Sequence, residues 1–312
     1  MATKKLWLNW VKMGREITSN AAVTFEIASG ASEYVHLGTP TFHVSMLRER
    51  FTDEVPVELK VLCESDLFHT DEIIECNRLD IKKVFQWLPG ASAKLPEWMY
   101  SVYVQNGGIC VTDNEIVVKY DFPWQIDTLG FTIPPEVIAV MKKTNSPVNG
   151  FRVLLDQIER GTKWITFRFA DGTFLTYKQP PLEDYHILDG WVVKYGLDED
   201  NARIAFLDKR IVSDIVAVLK DVPYAVGIDT AKCALVELQR ELFDEKVIYE
   251  NDCFQTYYGA YDGKSFKKVF KAMSVGSGCR FYAGGEEGSP AWFSFIGKDG
   301  YKVDGILGYL NA

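Results

Sequence analysis

The side chains with most to offer chemically lie in DGKSFKKVFKAM, residues 262–273. Read as a helix, it places Lys264, Lys267, Lys268 and Lys271 on one face at i, i+3, i+4, i+7. Phe266, Val269, Phe270 and Met273 take the other face at the same spacing, which makes them the core side. Four flexible point charges in a row can serve an anionic partner. On a chain of net charge −9 they equally suit a solvated outer face whose aliphatic stems lie on the core edge. Three other segments of the same kind carry basic residues. In NRLDIKKVFQWL, Asn77 can cap a helix with Ile81, Val84, Phe85 and Leu88 inward and Arg78, Lys82 and Lys83 off that stripe. PPEVIAVMKKT starts at Pro134-Pro135 and ends on Lys142 and Lys143. In DKRIVSDIVAVLK, Asp208 caps, Arg210 faces out, and Ile211, Ile215, Val218 and Leu219 are expected inward.

Little else in the chain promises reactivity. The four histidines, His36, His43, His69 and His186, sit in no nucleophile elbow, zinc-protease signature or phosphate-binding glycine loop. Cys63, His69 and Cys76 fit no usual zinc spacing, and the six scattered cysteines are expected to be reduced and mostly buried. The glycine-rich run 284–288 reads as a hairpin loop, since its two glutamates would repel phosphate. Asp113 reads as the organiser of a turn, and Asp184 with Tyr185 as a structural corner. No cofactor, metal or catalytic residue is therefore expected. The N-terminal stretch is broken by Asn9, Lys12 and Arg15 before a signal-peptide core can form, and no apolar run reaches membrane length, so the expected location is the cytoplasm.

The elements that must carry these helices are mostly strands. Alternating segments fill residues 1–72; WMYSVYVQ, ICVTD and EIVVKYDF follow, with a turn at Asn106-Gly107-Gly108. Residues 144–162 read as an excursion with a helical turn or two, ahead of a hairpin over Asp171-Gly172. Closing strands flank a second such signal at Asp299-Gly300. The order helix, strands, helix, strands recurs at an offset of about 130 residues, which predicts a tandem repeat. The expected division is a strand-rich segment 1–72, a first domain 73–190, an acidic connector 191–203 and a second domain 204–312. Together the four helices are net positive while the rest of the chain is strongly acidic, a partition that confines positive charge to the helices.

At this point the sequence resembles the DNA-polymerase sliding clamps, the processivity factors of bacteria, phages and, more distantly, archaea and eukaryotes. NRLDIKKVFQWLP with VQNGGICVTDNEIVVKY resembles the opening helix and strands of a clamp domain, and FTIPPEVIAVMKK its second helix. FLTYKQPPLEDYHIL is similar to the stretch leading out of such a domain. DGKSFKKVFKAM, CRFYAG and AWFSFIGKDGYKVDGIL resemble the last helix and closing strands. The resemblance spans residues 73–312 and implies an α+β fold of tandem clamp-like domains, each with two short helices packed on antiparallel sheets. It leaves residues 1–72 as a degenerate clamp unit or a segment of another role. It implies a non-catalytic ring that encircles duplex DNA without sequence specificity, lined by Arg78, Lys82, Lys83, Lys142, Lys143, Arg210, Lys264, Lys267, Lys268 and Lys271. The implied partners are duplex DNA, a replicative polymerase, its clamp loader and further copies of the chain, a trimer if each chain holds two domains. No membrane partner is implied. The helix at 208–221 is charge-neutral and the tail YLNA lacks the Pro-Met ending of bacterial clamps, which leaves the partner-peptide pocket unassigned. The competing reading is a phage structural or adaptor protein rich in antiparallel sheet.

Overall fold

Antiparallel pairing builds the protein, with glycines at the turns the sequence marks. The computed structural model describes residues 24–27, 34–39, 42–47, 74–75, 81–89, 97–122, 130–155, 159–179, 205–221, 224–229, 231–238, 245–254, 259–283 and 290–310. Arg78, the connector 191–203, the stretch around Asp184, the 284–288 loop, and Cys63, His69, Cys76 and His186 lie outside these residues. Three α-helices are described, Pro135–Lys143 (α1), Lys209–Val218 (α2) and Gly263–Met273 (α3), with a 3-10 helix at Ile81–Trp87. Gly107, Gly172 and Gly300 take positive φ at the three predicted hairpins, a conformation that costs glycine nothing.

The order of elements repeats. A short strand, a helix, four strands, a second helix and three strands run from Ile74 to Gln179, and the same order runs from Ala205 to Leu307. Packing divides the chain differently from this linear order. One compact unit is Met1–Gln86 with Phe131–Glu183, and the other is Trp87–Gly130 with Asp184–Ala312. In the first unit a seven-stranded sheet runs Thr24–Ile27, Tyr34–Thr39, Phe42–Leu47, Phe174–Gln179, Lys163–Phe169, Val148–Leu155, Ile74–Glu75. In the second unit one sheet passes through Ala205–Leu207, Ser277–Ala283, Ala291–Ile296, Lys302–Leu307, Ile116–Asp121, Gly108–Thr112 and Val102–Gln105. Another in that unit runs Glu245–Glu250, Ala234–Leu238, Ala225–Asp229, Gly259–Asp262.

Aromatic side chains fill both cores. In the first unit Phe131, Phe151 and Phe167 pack ring to ring at 5.5–6.3 Å, and the buried Thr166 and Thr176 hydroxyls bond across neighbouring strands at 3.0 Å. The Tyr177 hydroxyl donates to the Thr132 carbonyl, and burial pushes its pKa upward. In the second unit α3 lays Phe266 and Phe270 against Phe281, while Trp87 stacks on Phe293 and donates its indole N–H to the Tyr120 hydroxyl at 2.9 Å. Gly305 lies opposite Phe293 in the sheet, and a Cβ there would meet the ring's Cζ at 2.2 Å. Gly305→Ala is therefore expected to cost about 1–3 kcal/mol by overpacking a fully buried ring, read as a lowered melting temperature.

Four expectations need correction. The 81–87 segment is a 3-10 helix, and at three residues per turn Ile81, Val84 and Trp87 align and are fully buried, so Trp87 takes the inward place expected of Leu88. The first three residues of WMYSVYVQ belong to a 3-10 turn, Glu97–Tyr100, and the strand starts at Val102. The excursion contains an eight-residue strand, Val148–Leu155. On α2 the buried side chains are Val212 and Ile215, continued by Leu219, while Ile211 and Val218 are half-buried; the stripe follows i, i+3, i+7 from Val212.

Candidate nucleic-acid interface

Local capping sets the position of the lysine-bearing helix. Asp262 precedes α3, and its Oδ1 accepts a bond from the Ser265 backbone N–H at 2.8 Å, satisfying one of the donors a helix start leaves open. Phe266, Val269, Phe270 and Met273 are all buried, as the spacing predicts. On the turn Asp113–Ile116, the Asp113 Oδ1 accepts from the backbone N–H groups of Glu115 and Ile116 at 3.2 and 2.8 Å, which makes Asp113 the organiser of that turn. Two side chains one helical turn apart then dock α3 on it. The Ser265 hydroxyl donates to Glu115 Oε2, and the Lys268 ammonium reaches Asp113 Oδ2 at 2.5 Å. Burial raises the Glu115 carboxyl above its ordinary value against the opposing effect of the Ser265 bond, and the nearby Asp262 and Asp113 raise it further.

The predicted lining residues separate into two kinds. Three of the lysines bond carbonyls at helix ends. Lys82 donates to the carbonyls of Thr144 and Ser146, just past the end of α1, at 2.9 and 2.5 Å, and its ammonium lies 5.9 Å from the Phe169 ring centre. Lys267 donates to the Lys220 carbonyl at 3.1 Å, in the 3-10 turn that ends α2. Lys268 donates to the Trp87 carbonyl at 3.2 Å, at the end of the 81–87 helix, and lies 5.7 Å from that indole ring. Each such contact meets an open carbonyl where the helix dipole is negative. The second kind points to solvent. Lys264 and Lys271 on α3, and Lys83 and Lys142 in the other unit, are exposed; the Lys142 ammonium lies 5.9 Å from the Phe85 ring. Lys143 is half-buried. Arg210 is 90 % exposed, with its Nε 4.0 Å from Asp214 Oδ2 one turn along α2.

Cys110 and Cys279 are buried, Cys233 and Cys253 half-buried, and burial pushes the Cys253 thiol up to about 12. Among the described residues no three histidine, cysteine or acidic side chains converge in a way that could hold a metal ion, and no helix is long and apolar enough to cross a membrane. What the helices offer is diffuse positive charge on exposed, flexible stems, an arrangement suited to phosphates and unsuited to reading bases. The sequence does not reveal Asp113 and Glu115 as the partners of the lysine helix. Their spacing carries no signal, because 155 residues separate Lys268 from Asp113.

No protein-family model matches the sequence, and no curated protein matches it. Solved structures match the fold over nearly the whole chain. The β clamp of Helicobacter pylori bound to a DNA ligase peptide aligns with TM-score 0.59 at 10 % identity, covering 99 % of this chain and 98 % of that one. The Caulobacter crescentus β sliding clamp aligns with TM-score 0.56 at 13 % identity, covering 98 % of each. The DNA polymerase III β subunit of Thermotoga maritima aligns with TM-score 0.59 at 9 % identity, covering 97 % of this chain and 96 % of that one. The fold is that of the β sliding clamps, an α+β architecture of short helices on antiparallel sheets.

Proposed function

We propose that this chain is a sliding clamp, a non-catalytic accessory subunit that closes into a ring of identical copies around duplex DNA and tethers a replicative polymerase, acting in the cytoplasm after placement by a clamp loader. The observation that carries the reading is the β-clamp fold, matched along almost the full length of both chains. The exposed lysines on the helices support it. A ring that slides must hold phosphates by many weak, exchangeable contacts, and Lys83, Lys142, Lys264 and Lys271 are exposed lysines of the kind such contacts use. Lys143, Arg210 and Arg78 belong to the same proposed set of phosphate contacts, and Lys82, Lys267 and Lys268 would add long-range field while holding helix ends.

Retention on closed circular DNA tests this. The protein is expected to stay on the circle and to leave once the circle is cut, and Lys264→Glu/Lys271→Glu is expected to shorten retention without changing the melting temperature. Each lost phosphate contact should lower the salt dependence of binding by about 0.9 in log–log slope. Equal retention on cut and closed DNA would overturn the ring. Solution mass by light scattering reads the copy number: three chains if each contributes two domains, two if the strands Thr24–Ile27, Tyr34–Thr39 and Phe42–Leu47 belong to a third.

A further inference from the structure

Folding brings two cysteines to the same end of the four-stranded sheet of the second unit. Cys233 immediately precedes the strand Ala234–Leu238, and Cys253 lies in the 3-10 turn Asp252–Phe254 that follows the neighbouring strand Glu245–Glu250. The pairing of these strands ends with Ala234 opposite Glu250, and one step further the Asn251 N–H donates to the Cys233 carbonyl at 2.9 Å. Asn251 then turns the chain back. Its Oδ1 accepts from the Cys253 N–H at 3.0 Å and its carbonyl from the Phe254 N–H at 3.1 Å, and the turn packs against Ala234–Leu238. One residue, Asn251, therefore links the two cysteines by hydrogen bonds, and both are half-buried thiols.

The backbone sets Cys233 apart. It takes φ +49°, in the left-handed region, at the end of a turn whose Asp229 Oδ1 accepts from the Ala231 and Lys232 N–H groups at 3.0 and 3.1 Å. Glycine would complete that turn without strain. Among the described residues the other non-glycine at positive φ is Asn114, whose short amide side chain suits that conformation. Cysteine has no such advantage, so its place here points to a use for the thiol. We propose that Cys233 and Cys253 form a reversible disulfide, a redox-operated staple across the end of this strand pair. The oxidant is a low-molecular-weight disulfide such as glutathione disulfide. The Cys233 thiolate attacks one of its sulfurs and displaces a glutathione thiolate; the Cys253 thiolate then attacks the Cys233 sulfur and displaces the second. The two protons lost by the cysteines end on two glutathione thiols, and excess glutathione reverses both steps. Burial first, then the nearby Asp252, Asp208 and Cys233, push the Cys253 thiol up to about 12, so closure is the slower step at neutral pH. The bond would tie Glu245–Glu250, at one end of its sheet, to Ala234–Leu238 through a closed loop of about twenty residues.

This inference does not rest on DNA binding. The full chain is incubated with glutathione disulfide in mildly alkaline buffer, and its circular-dichroism spectrum is recorded before digestion without reductant. A peptide linking Cys233 to Cys253 is expected from protein that keeps its folded spectrum, with two of the six thiols lost, no glutathione retained and both thiols recovered by dithiothreitol. Amide hydrogen exchange over Glu245–Glu250 should slow at least about tenfold on oxidation, and the same treatment should leave exchange in Cys253→Ser unchanged. Cys233→Gly should abolish the link and raise the melting temperature of the reduced protein, because glycine accepts the left-handed backbone. Survival of all six thiols, glutathione left on wild-type Cys233, or a link from either cysteine to any other would overturn the proposal. So would a link that forms only in unfolded protein, or exchange that is the same in both redox states. A lowered melting temperature for Cys233→Gly would also overturn it, since packing would then account for the cysteine.

Discussion

Phe270→Ala is expected to destabilise the protein by about 3–5 kcal/mol, the range for truncating a fully buried aromatic side chain. Phe270 is completely inaccessible, stacks on Phe266 at 4.6 Å and packs on Phe281 at 5.3 Å, so the void would lie between α3 and the sheet it covers. Six residues earlier on the same helix, Lys264→Ala should change stability by less than about 0.5 kcal/mol. Denaturant unfolding of the pair, with the same slope for both, checks the assignment of faces. A midpoint for Phe270→Ala close to that of Lys264→Ala would mean α3 does not pack on this sheet as described.

Asp113→Ala carries the second large effect, a loss of about 2–4 kcal/mol. It removes an acceptor for two backbone N–H groups of its own turn and leaves the part-buried Lys268 ammonium without its carboxylate. The side chains are 12 % and 29 % exposed, so solvent screens the pair only partly. Most of the penalty is the stranded charge, which gives the double variant a definite sign. Lys268→Met on the Asp113→Ala background should cost less than Lys268→Met alone, with a coupling of at least about 1 kcal/mol in the cycle. Additive losses would show that the two groups do not act together.

Local rules were sufficient for much of this architecture. Asp208 and Asp262 cap the helices that follow them, and the α3 stripe is buried residue for residue, because capping and helical periodicity involve neighbours a few positions apart. The errors have equally local causes. Over the seven residues of Ile81–Trp87 an apolar period of three and one of 3.6 look alike until Trp87, and the tighter turn brings Trp87 inward. Residues 144–162 read as an excursion, yet Gly150 within them pairs with Arg168 on one side and Glu75 on the other. The lysines mark the limit of such reading. Lys82 and Lys83 are indistinguishable in sequence, and it is a contact 62 residues away that makes the half-buried Lys82 a fastener for α1, while Lys83 is exposed.

The strand Lys302–Leu307 lies in the interior of its sheet, paired with Ala291–Ile296 on one side and with Ile116–Asp121 on the other. On a ribosome adding about 5–20 residues per second, Ile116–Asp121 emerges on the order of ten seconds or more before the strand it needs. In that interval its edge is open to any other strand in reach, nascent neighbours on the same message included. Lys119 and Asp121, charged side chains on that edge, are suited to discouraging such unions. Assembly of this unit is therefore vectorial with a late closure, and a chaperone or a slowed codon run would act most usefully on the nascent chain between those two strands.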